Sequence, residues 1–322
     1  MGLVYNSLEP AELPTTHMTH SEPNHSARDV AMGTIFILLG GAFLSTGGVI
    51  IRFVETTDSW TVLFYRSVGF VCLLIIVIAF RHRKNTVGAF RAVGVNGLCM
   101  ALTLGCGFTS YVFGMMLTTV ANVSFIISAG PLFAAVFGWI VLRERVSLTT
   151  MMVIAGAVIG MGLMFADGLS TGQMAGNLVA LGLPLTFGLM VVLIRRAGDM
   201  DMLPATCMAG MVSGIAGLVF SESLSVSSSD MMIMLAMGVV QLGMGFMLIT
   251  LGTRYIAAAE AALLSLSESV LAPVLAWLII MEIPTTLALI GGMIVLACVA
   301  VQGALGVYRE RKSRKLLAAM EH

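Results

Sequence analysis

Long continuous runs of apolar residues, separated by short polar segments, dominate the chain. A helix that spans a bilayer needs about 20 predominantly apolar residues, and ten runs are close to that length. A transmembrane β-barrel would instead show segments of alternating polarity. The pattern therefore predicts an all-α integral membrane protein with ten transmembrane helices. We place them at residues 30–51, 60–80, 92–117, 120–142, 148–166, 174–194, 203–221, 231–252, 256–280 and 285–307.

The composition agrees with this fold class and narrows the range of functions. Of the 322 residues, 58% are hydrophobic and 11% are charged, whereas soluble domains carry about 25% charged residues. The formal net charge is zero, so we expect no nucleic-acid partner. The five cysteines show no metal-ligand spacing, and P-loop, nucleophile-elbow and zinc-protease motifs are missing. We therefore expect no enzyme, no metal and no cofactor.

An internal repeat relates two parts of the chain. Aligned without a gap, residues 105–144 and 243–282 share nine identities, where a chain this rich in Gly and Ala would give about three by chance. The identical positions are Gly105, Gly107, Phe108, Gly114, Ala121, Ala134, Val136, Trp139 and Glu144, with Gly243, Gly245, Phe246, Gly252, Ala259, Ala272, Val274, Trp277 and Glu282. A repeat in so apolar a chain is typical of a membrane transporter built from two related halves.

Each half contains five helices, an odd number, so the second half must cross the membrane in the opposite sense to the first. This is an inverted-topology repeat, which is common among secondary transporters. Two related halves allow two similar packings, each open to one side of the membrane. The expected organisation is a disordered tail (1–29), two five-helix repeats (30–167 and 172–307) and a basic tail (308–322).

Basic residues are divided unequally between the two sides of the membrane. Fifteen of the 17 Lys and Arg residues fall in the tails and loops on the side of the two termini, leaving Arg52 on the other side and Arg66 inside the second helix. The positive-inside rule therefore predicts that both termini are cytoplasmic. We expect a multi-pass protein of the inner cell membrane.

Several short motifs suggest a family. The first copy contains Pro131–Leu132 and then Gly138–Trp139–Ile140–Val141–Leu142–Arg143–Glu144–Arg145, and the second helix contains Phe64–Tyr65–Arg66. The second copy contains Ala272–Pro273, Trp277, Glu282–Ile283–Pro284 and Gly291–Gly292. Over residues 30–307 the chain resembles EamA-type members of the drug/metabolite transporter superfamily. The resemblance implies transport of small organic solutes, such as amino acids and nucleosides, through a cavity between the halves.

Placing an ionisable side chain near the middle of a bilayer costs free energy, and such residues often have a functional role. Arg66 lies about two turns into the second helix. It could contact an anion such as a substrate carboxylate, or it could instead snorkel to the outer interface or serve as a structural hydrogen-bond hub. Glu268 lies near the middle of the ninth helix. It could carry a proton or bind an ammonium group, or it could instead be a protonated, hydrogen-bonded structural acid or form an ion pair with an arginine.

Neutral residues extend this set of candidates. Gln241, Tyr111 and Asn96 could bind substrate, and Gln241 could instead tie helices together. Pro131 and Pro273 are expected inside the fourth and ninth helices, where each would bend its helix and help to gate the cavity; a static kink is the alternative.

The sequence thus predicts a secondary transporter of a small metabolite, expected to be an exporter that works by alternating access and is coupled to protons. The alternative is a channel or a structural membrane protein. The lipid bilayer and the metabolite are the expected partners. Gly156 and Gly160 fit a close helix-packing face, and the alternative is that this face mediates a homodimer.

Overall fold

The computed structural model describes residues 27–143, 147–197, 201–256 and 258–320, which are almost entirely helical and include no strand. The α-helices are α1 (Ala27–Ser45), α2 (Gly47–Ile51), α3 (Ser59–His82), α4 (Thr86–Ala92), α5 (Gly94–Leu117), α6 (Val120–Ser128), α7 (Gly130–Leu142), α8 (Leu148–Thr171), α9 (Met174–Ala180), α10 (Gly182–Ala197), α11 (Met202–Phe220), α12 (Ser228–Ala236), α13 (Gly245–Gly252), α14 (Ala258–Ile280) and α15 (Thr286–Met320). A π-helical segment, Met237–Met244, joins α12 to α13.

Ten segments of this fold are long and apolar enough to cross a membrane, which confirms the predicted number. They are Arg28–Ile51, Ser59–His82, Gly94–Leu117, Val120–Val141, Leu148–Thr171, Met174–Ile194, Met202–Phe220, Ser228–Gly252, Leu263–Ile280 and Thr286–Tyr308, numbered here as spans 1 to 10. Because the number is even, both ends of the bundle lie on one side of the membrane. We call this the terminal side and the other the opposite side.

Three spans are broken rather than continuous. Span 1 is interrupted at Thr46, span 4 at Ala129 and span 6 at Leu181. The expectation that Pro131 bends a helix from its interior is therefore wrong: Pro131 lies in the first turn of α7, just after the break. Proline suits that position because the first helical N–H groups have no partner within the helix. Pro273 does lie inside a helix, as predicted for α14.

The two halves are intertwined, and their contacts have the symmetry of an inverted repeat. Span 1 packs on span 8 as span 6 packs on span 3, and span 2 packs on span 8 as span 7 packs on span 3. Spans 2 and 7, 4 and 9, and 5 and 10 pack against their own repeat mates. Exchanging each span for its repeat mate (1 for 6, 2 for 7, and so on) therefore reproduces these pairings, and the most extensive of them join one half to the other.

The repeated glycines lie where these symmetric pairs approach most closely. A Cβ at Gly105 would meet span 7, and one at its repeat mate Gly243 would meet span 2. Likewise a Cβ at Gly107 would meet span 6, and one at Gly245 would meet span 1. Small residues allow helices to pack closely in membranes, so the repeat in sequence encodes a repeated helix contact.

Span 2 begins with a well-formed cap outside the membrane. The Asp58 carboxylate accepts hydrogen bonds from the N–H groups of Trp60 and Thr61 at 3.0 and 3.3 Å, from the Thr61 hydroxyl at 2.6 Å and from the Glu222 N–H at 3.3 Å. Burial raises the pKa of Asp58, but these hydrogen bonds together lower it below its ordinary value. The cap also ties the start of α3 to the loop after α11.

Parts of both predicted tails lie outside the residues that the structure describes. Of the tail predicted at residues 1–29, only the last three residues are described, and they form the start of α1. The predicted basic tail continues α15 up to Met320. The two predicted repeats meet between α8 and α9, where Gly172 and Gln173 form the link.

Candidate functional site

A cavity of about 320 Å³ lies between the two halves, within the size range of small-molecule sites. Spans 1, 2, 3 and 4 of the first half and spans 6, 8 and 9 of the second contribute to its wall. Most of the lining is aliphatic or aromatic. Arg66 and Glu268 are the charged residues of the lining, so the cavity offers one cation and one carboxylate to a ligand.

Arg66 is fully enclosed by the protein and only partly satisfied. It is 2% exposed, and its guanidinium lies over the Tyr111 ring, 4.7 Å from the ring centre. Its Nη2 donates a hydrogen bond of 3.4 Å to Gln241 Oε1. Among the described residues, no carboxylate pairs with Arg66 and no acceptor meets its Nε. A buried donor without a partner is costly, and the described residues leave this edge of the guanidinium without an acceptor.

Gln241 connects three spans around Arg66. It lies in the π-helical segment of span 8, accepts from Arg66 of span 2, and donates from Nε2 to the Leu44 carbonyl of span 1 at 3.2 Å. The expectation that this residue could tie helices together agrees with these bonds. A π-helical turn inside an α-helix is rare and is often found at functional sites, and here it places Gln241 in the cavity wall.

Glu268 lines the other part of the cavity from α14. Its side chain is partly buried, and the described residues provide its carboxylate with no hydrogen-bond or ion-pair partner. Its polar neighbours Ser265 and Ser269 also line the cavity, but the Ser265 hydroxyl donates to its own helix, to the Ala261 carbonyl at 2.9 Å. The Glu268 carboxylate therefore remains available to a ligand or a proton.

Two aromatic residues of the cavity wall, Phe108 and Phe246, belong to a cluster whose third member, Phe70, lies outside the lining. Phe108 and Phe246, which are repeat mates, meet edge to face with their ring centres 6.2 Å apart. Phe70 packs edge to face against both, at 5.4 and 6.4 Å. This cluster lies beside Arg66, whose guanidinium is 6.0 Å from the Phe108 ring centre. The cavity wall therefore presents an apolar surface next to a cation.

On the opposite side an ion pair joins helix ends beyond the cavity. Arg52, which follows α2, pairs with Glu282 at 3.2 Å and donates to the Thr118 carbonyl at 2.8 Å. The Glu282 carboxylate also accepts from the Val120 N–H. These contacts join the ends of spans 1, 3, 4 and 9, and we call the four residues, Arg52, Thr118, Val120 and Glu282, the seal.

Buried polar side chains reinforce the seal. Asn122 Nδ2 lies 3.0 to 3.2 Å from Thr118 Oγ1, Gln173 Oε1 and Asn177 Oδ1. Asn177 in turn donates to the Met164 carbonyl at 3.2 Å. A separate bond of 2.7 Å joins the Thr285 hydroxyl to Asp167. Spans 1, 3, 4, 5, 6, 9 and 10 are thus tied together on this side.

The cavity extends towards the terminal side. Its lining includes Met190 of span 6 and Ile249 of span 8 in the halves of those spans nearest the termini, and Phe187, which is 47% exposed. There α7 packs on α10, while α13 and α14 pack on α1. The cavity therefore lies between α7 and α10 on one side and α1, α13 and α14 on the other.

The structure brings together most of the residues singled out from the sequence. Glu268, Arg66, Gln241 and Tyr111 all line the cavity, and Pro131 lines it too. Asn96 lies apart, exposed at the terminal-side start of α5. Pro273 is on α14 but is not part of the lining.

The seal is what sequence reasoning missed. Its residues are ordinary loop and helix-end residues, and nothing in their spacing predicts a network. One signal was available: Arg52 is the single basic residue of the opposite-side loops, and Glu282 is predicted on the same side. Glu144, the repeat mate of Glu282, lies outside the described residues. The described residues contain no group of three or more His, Cys, Asp or Glu side chains that could hold a metal.

Comparisons with known proteins agree with this architecture. A model of the EamA-like transporter family matches residues 31–166 and again residues 174–302. Sixteen chains among the solved structures match, and one crystal structure superimposes with a TM-score of 0.57 over 86% of this chain and 98% of that chain, at 19% identity. A likeness at that identity shows the fold alone. A search of curated proteins found no match.

Proposed function

The chain belongs to the EamA-like transporter family, and from this premise we propose that it exports small organic metabolites, such as amino acids, by alternating access. Membership makes the protein a multi-pass membrane transporter of small solutes. The direction, the kind of solute and the energy source are the proposed part.

The unpartnered edge of Arg66 carries the proposal for the solute. A buried guanidinium with a free Nε suits a carboxylate, which it can bind through two parallel hydrogen bonds. Glu268 in the same cavity suits an ammonium group, and the aromatic wall suits an apolar side chain. An amino acid contains all of these groups, so it fits the cavity better than a purely anionic or purely cationic solute.

The unequal closure of the two sides supports alternating access. The seal closes the opposite side, whereas the cavity extends towards the terminal side. An inverted repeat allows a second packing in which these roles are exchanged. We place the terminal side in the cytoplasm because almost all basic loop residues lie there, so a solute would enter from the cytoplasm and leave on the opposite side.

Glu268 is the proposed site of proton coupling. A carboxylate without a protein partner can exchange its proton for the ammonium group of a solute, which links the two movements. Uphill export would then draw on the proton gradient.

The test is a screen of metabolites on inside-out vesicles that contain the purified protein, with and without a pH gradient. Saturable uptake of amino acids, stimulated by the gradient, is expected for the native protein. Glu268→Gln should retain exchange of solute for solute but lose the stimulation, and Glu260→Gln on the same helix is the matched control.

Three outcomes would count against the proposal. Uptake at the same rate with and without the gradient would exclude proton coupling. Uptake that rises linearly with solute concentration would favour a channel. No uptake of any amino acid would exclude the proposed class of solute.

A further inference from the structure

The short helix α2 lies between the cavity and the seal. It contains only Gly47–Ile51, follows the break at Thr46, and is followed directly by Arg52 of the seal. Four of its five residues are buried. A helix of this length has little stability of its own, so its position depends on its packing against α14 and on the contacts at its two ends.

Gln241 determines the position of the cavity end of α2. Its amide donates to the carbonyl of Leu44, three residues before α2, and accepts from Arg66. Gly47 packs directly against it, since a Cβ there would overlap the Tyr111 hydroxyl and the Gln241 amide. The group that orients Arg66 therefore also fixes the start of α2.

The seal determines the position of the other end. Gly48 packs against Val120, whose N–H donates to Glu282. Arg52 holds both the Thr118 carbonyl and the Glu282 carboxylate. Its side chain is 29% exposed and that of Glu282 is 18% exposed, so this ion pair is better shielded from water than an ordinary surface pair.

From these contacts we propose that Gln241 is a positioning residue that couples occupancy of Arg66 to the seal through α2. The inference rests on the proposed function. A carboxylate that binds Arg66 through two parallel hydrogen bonds, from the free Nε and from Nη2, competes with Gln241, which accepts from Nη2. Gln241 then weakens its hydrogen bond to the Leu44 carbonyl, which allows α2 to shift. Because Arg52 directly follows α2, this shift separates Arg52 from Glu282. Binding of solute thereby opens the opposite side.

The test measures opening of the seal without any ligand. Val54, two residues beyond Arg52, is partly buried against the core and is replaced by cysteine. The rate at which this cysteine reacts with a membrane-impermeant maleimide is then measured in proteoliposomes. Protein without the introduced cysteine gives the background labelling of the native thiols. As a control, Ser225 in the exposed loop between α11 and α12 is replaced by cysteine. The labelling rate of this cysteine should be the same in every variant.

Gln241→Leu removes both hydrogen bonds and should increase labelling of the cysteine at position 54 about 2- to 10-fold, the range expected for loss of one net hydrogen bond. Gln241→Glu is a second variant that preserves the shape and pairs with Arg66, yet cannot donate to Leu44; the same increase is expected. The matched control is Gln302→Leu, which changes a glutamine of α15 outside the cavity lining, and it should leave labelling unchanged.

A double variant separates coupling from two independent effects. Arg52→Gln opens the seal directly and should also increase labelling. If the link is real, Gln241→Leu adds little to Arg52→Gln, because both act on the same contact. Equal labelling in Gln241→Leu and Gln302→Leu, or fully additive increases in the double variant, would overturn the inference. Since no solute is used, failure of the metabolite screen and failure of this test are distinguishable.

Discussion

Replacing Arg66 with glutamine should remove the preference of the transporter for solutes that contain a carboxylate. The side chain is 2% exposed, and its Nε has no acceptor among the described residues, whereas one Nη donates to Gln241. A carboxylate at the free edge would accept hydrogen bonds from a charged donor. Each such bond contributes about 1.5–3 kcal/mol, and loss of one corresponds to roughly a 10- to 150-fold weaker affinity.

The assay compares a carboxylate solute, identified in the vesicle screen, with its amide analogue. The native protein should prefer the carboxylate, whereas Arg66→Gln should transport or bind both about equally. Arg66→Lys should be intermediate, because an ammonium group keeps the charge but lacks the planar pair of donors. Arg254→Gln, at an exposed arginine on the terminal side, is the matched control.

The ratio of the two solutes makes the test specific. A variant that is merely less stable or less abundant would lose both activities together and leave their ratio unchanged. If Arg66→Gln keeps the native ratio of carboxylate to amide, Arg66 does not contact the carboxylate, and the proposed site is wrong.

Three further predictions follow from other parts of the molecule. Asp58→Ala should lower the unfolding free energy at pH 7 by about 1 kcal/mol, typical of a lost N-cap. The pKa of this carboxyl is lower in the folded protein, so its contribution is fully present above the ordinary value of 3.8 and is lost as the pH falls through the lowered folded-state pKa; a thermal-melt difference between the variant and the native protein that does not shrink as the pH falls below 3.8 would contradict this. Gly160→Ala should lower the melting temperature, because a Cβ would lie 2.6 Å from a carbonyl oxygen of α15; Gly162→Ala, where the Cβ would meet open space, should not, and equal effects would refute the packing argument. A cysteine at Ser225 should react with an impermeant maleimide on intact cells, and one at Arg83 only after permeabilisation; the reverse pattern would invert the proposed orientation.

The fold was largely predictable because the bilayer imposes simple rules on sequence. A continuous apolar run of about 20 residues is sufficient to identify a span, and the repeat of Trp139–Glu144 at Trp277–Glu282 indicated two related halves. The breaks in spans 1, 4 and 6 were not predictable in this way, since hydropathy is the same on both sides of each break. Pro131 was a sign of irregularity, but the sequence does not distinguish a bend from a break.

The sequence identified only those residues of the candidate site whose polar side chains cost free energy to insert into a membrane. Arg66, Glu268 and Gln241 stand out because polar groups are expensive at that depth, and all three line one cavity. Asn96 is equally polar but lies near the helix start, where water is close and the cost is small. Arg52 resembles any loop residue, and its importance follows from a partner 230 residues away, which no local pattern encodes.

The pairing of repeat mates has a consequence for how such a chain can be divided. Spans 2 and 7, 4 and 9, and 5 and 10 cover one another, so neither set of five helices encloses its own polar and close-packing surfaces. Cut between Thr171 and Met174, the two fragments should each be unstable when produced alone. Produced together, they should assemble with each other in antiparallel orientation, as would two copies of a single ancestral fragment able to insert in both directions.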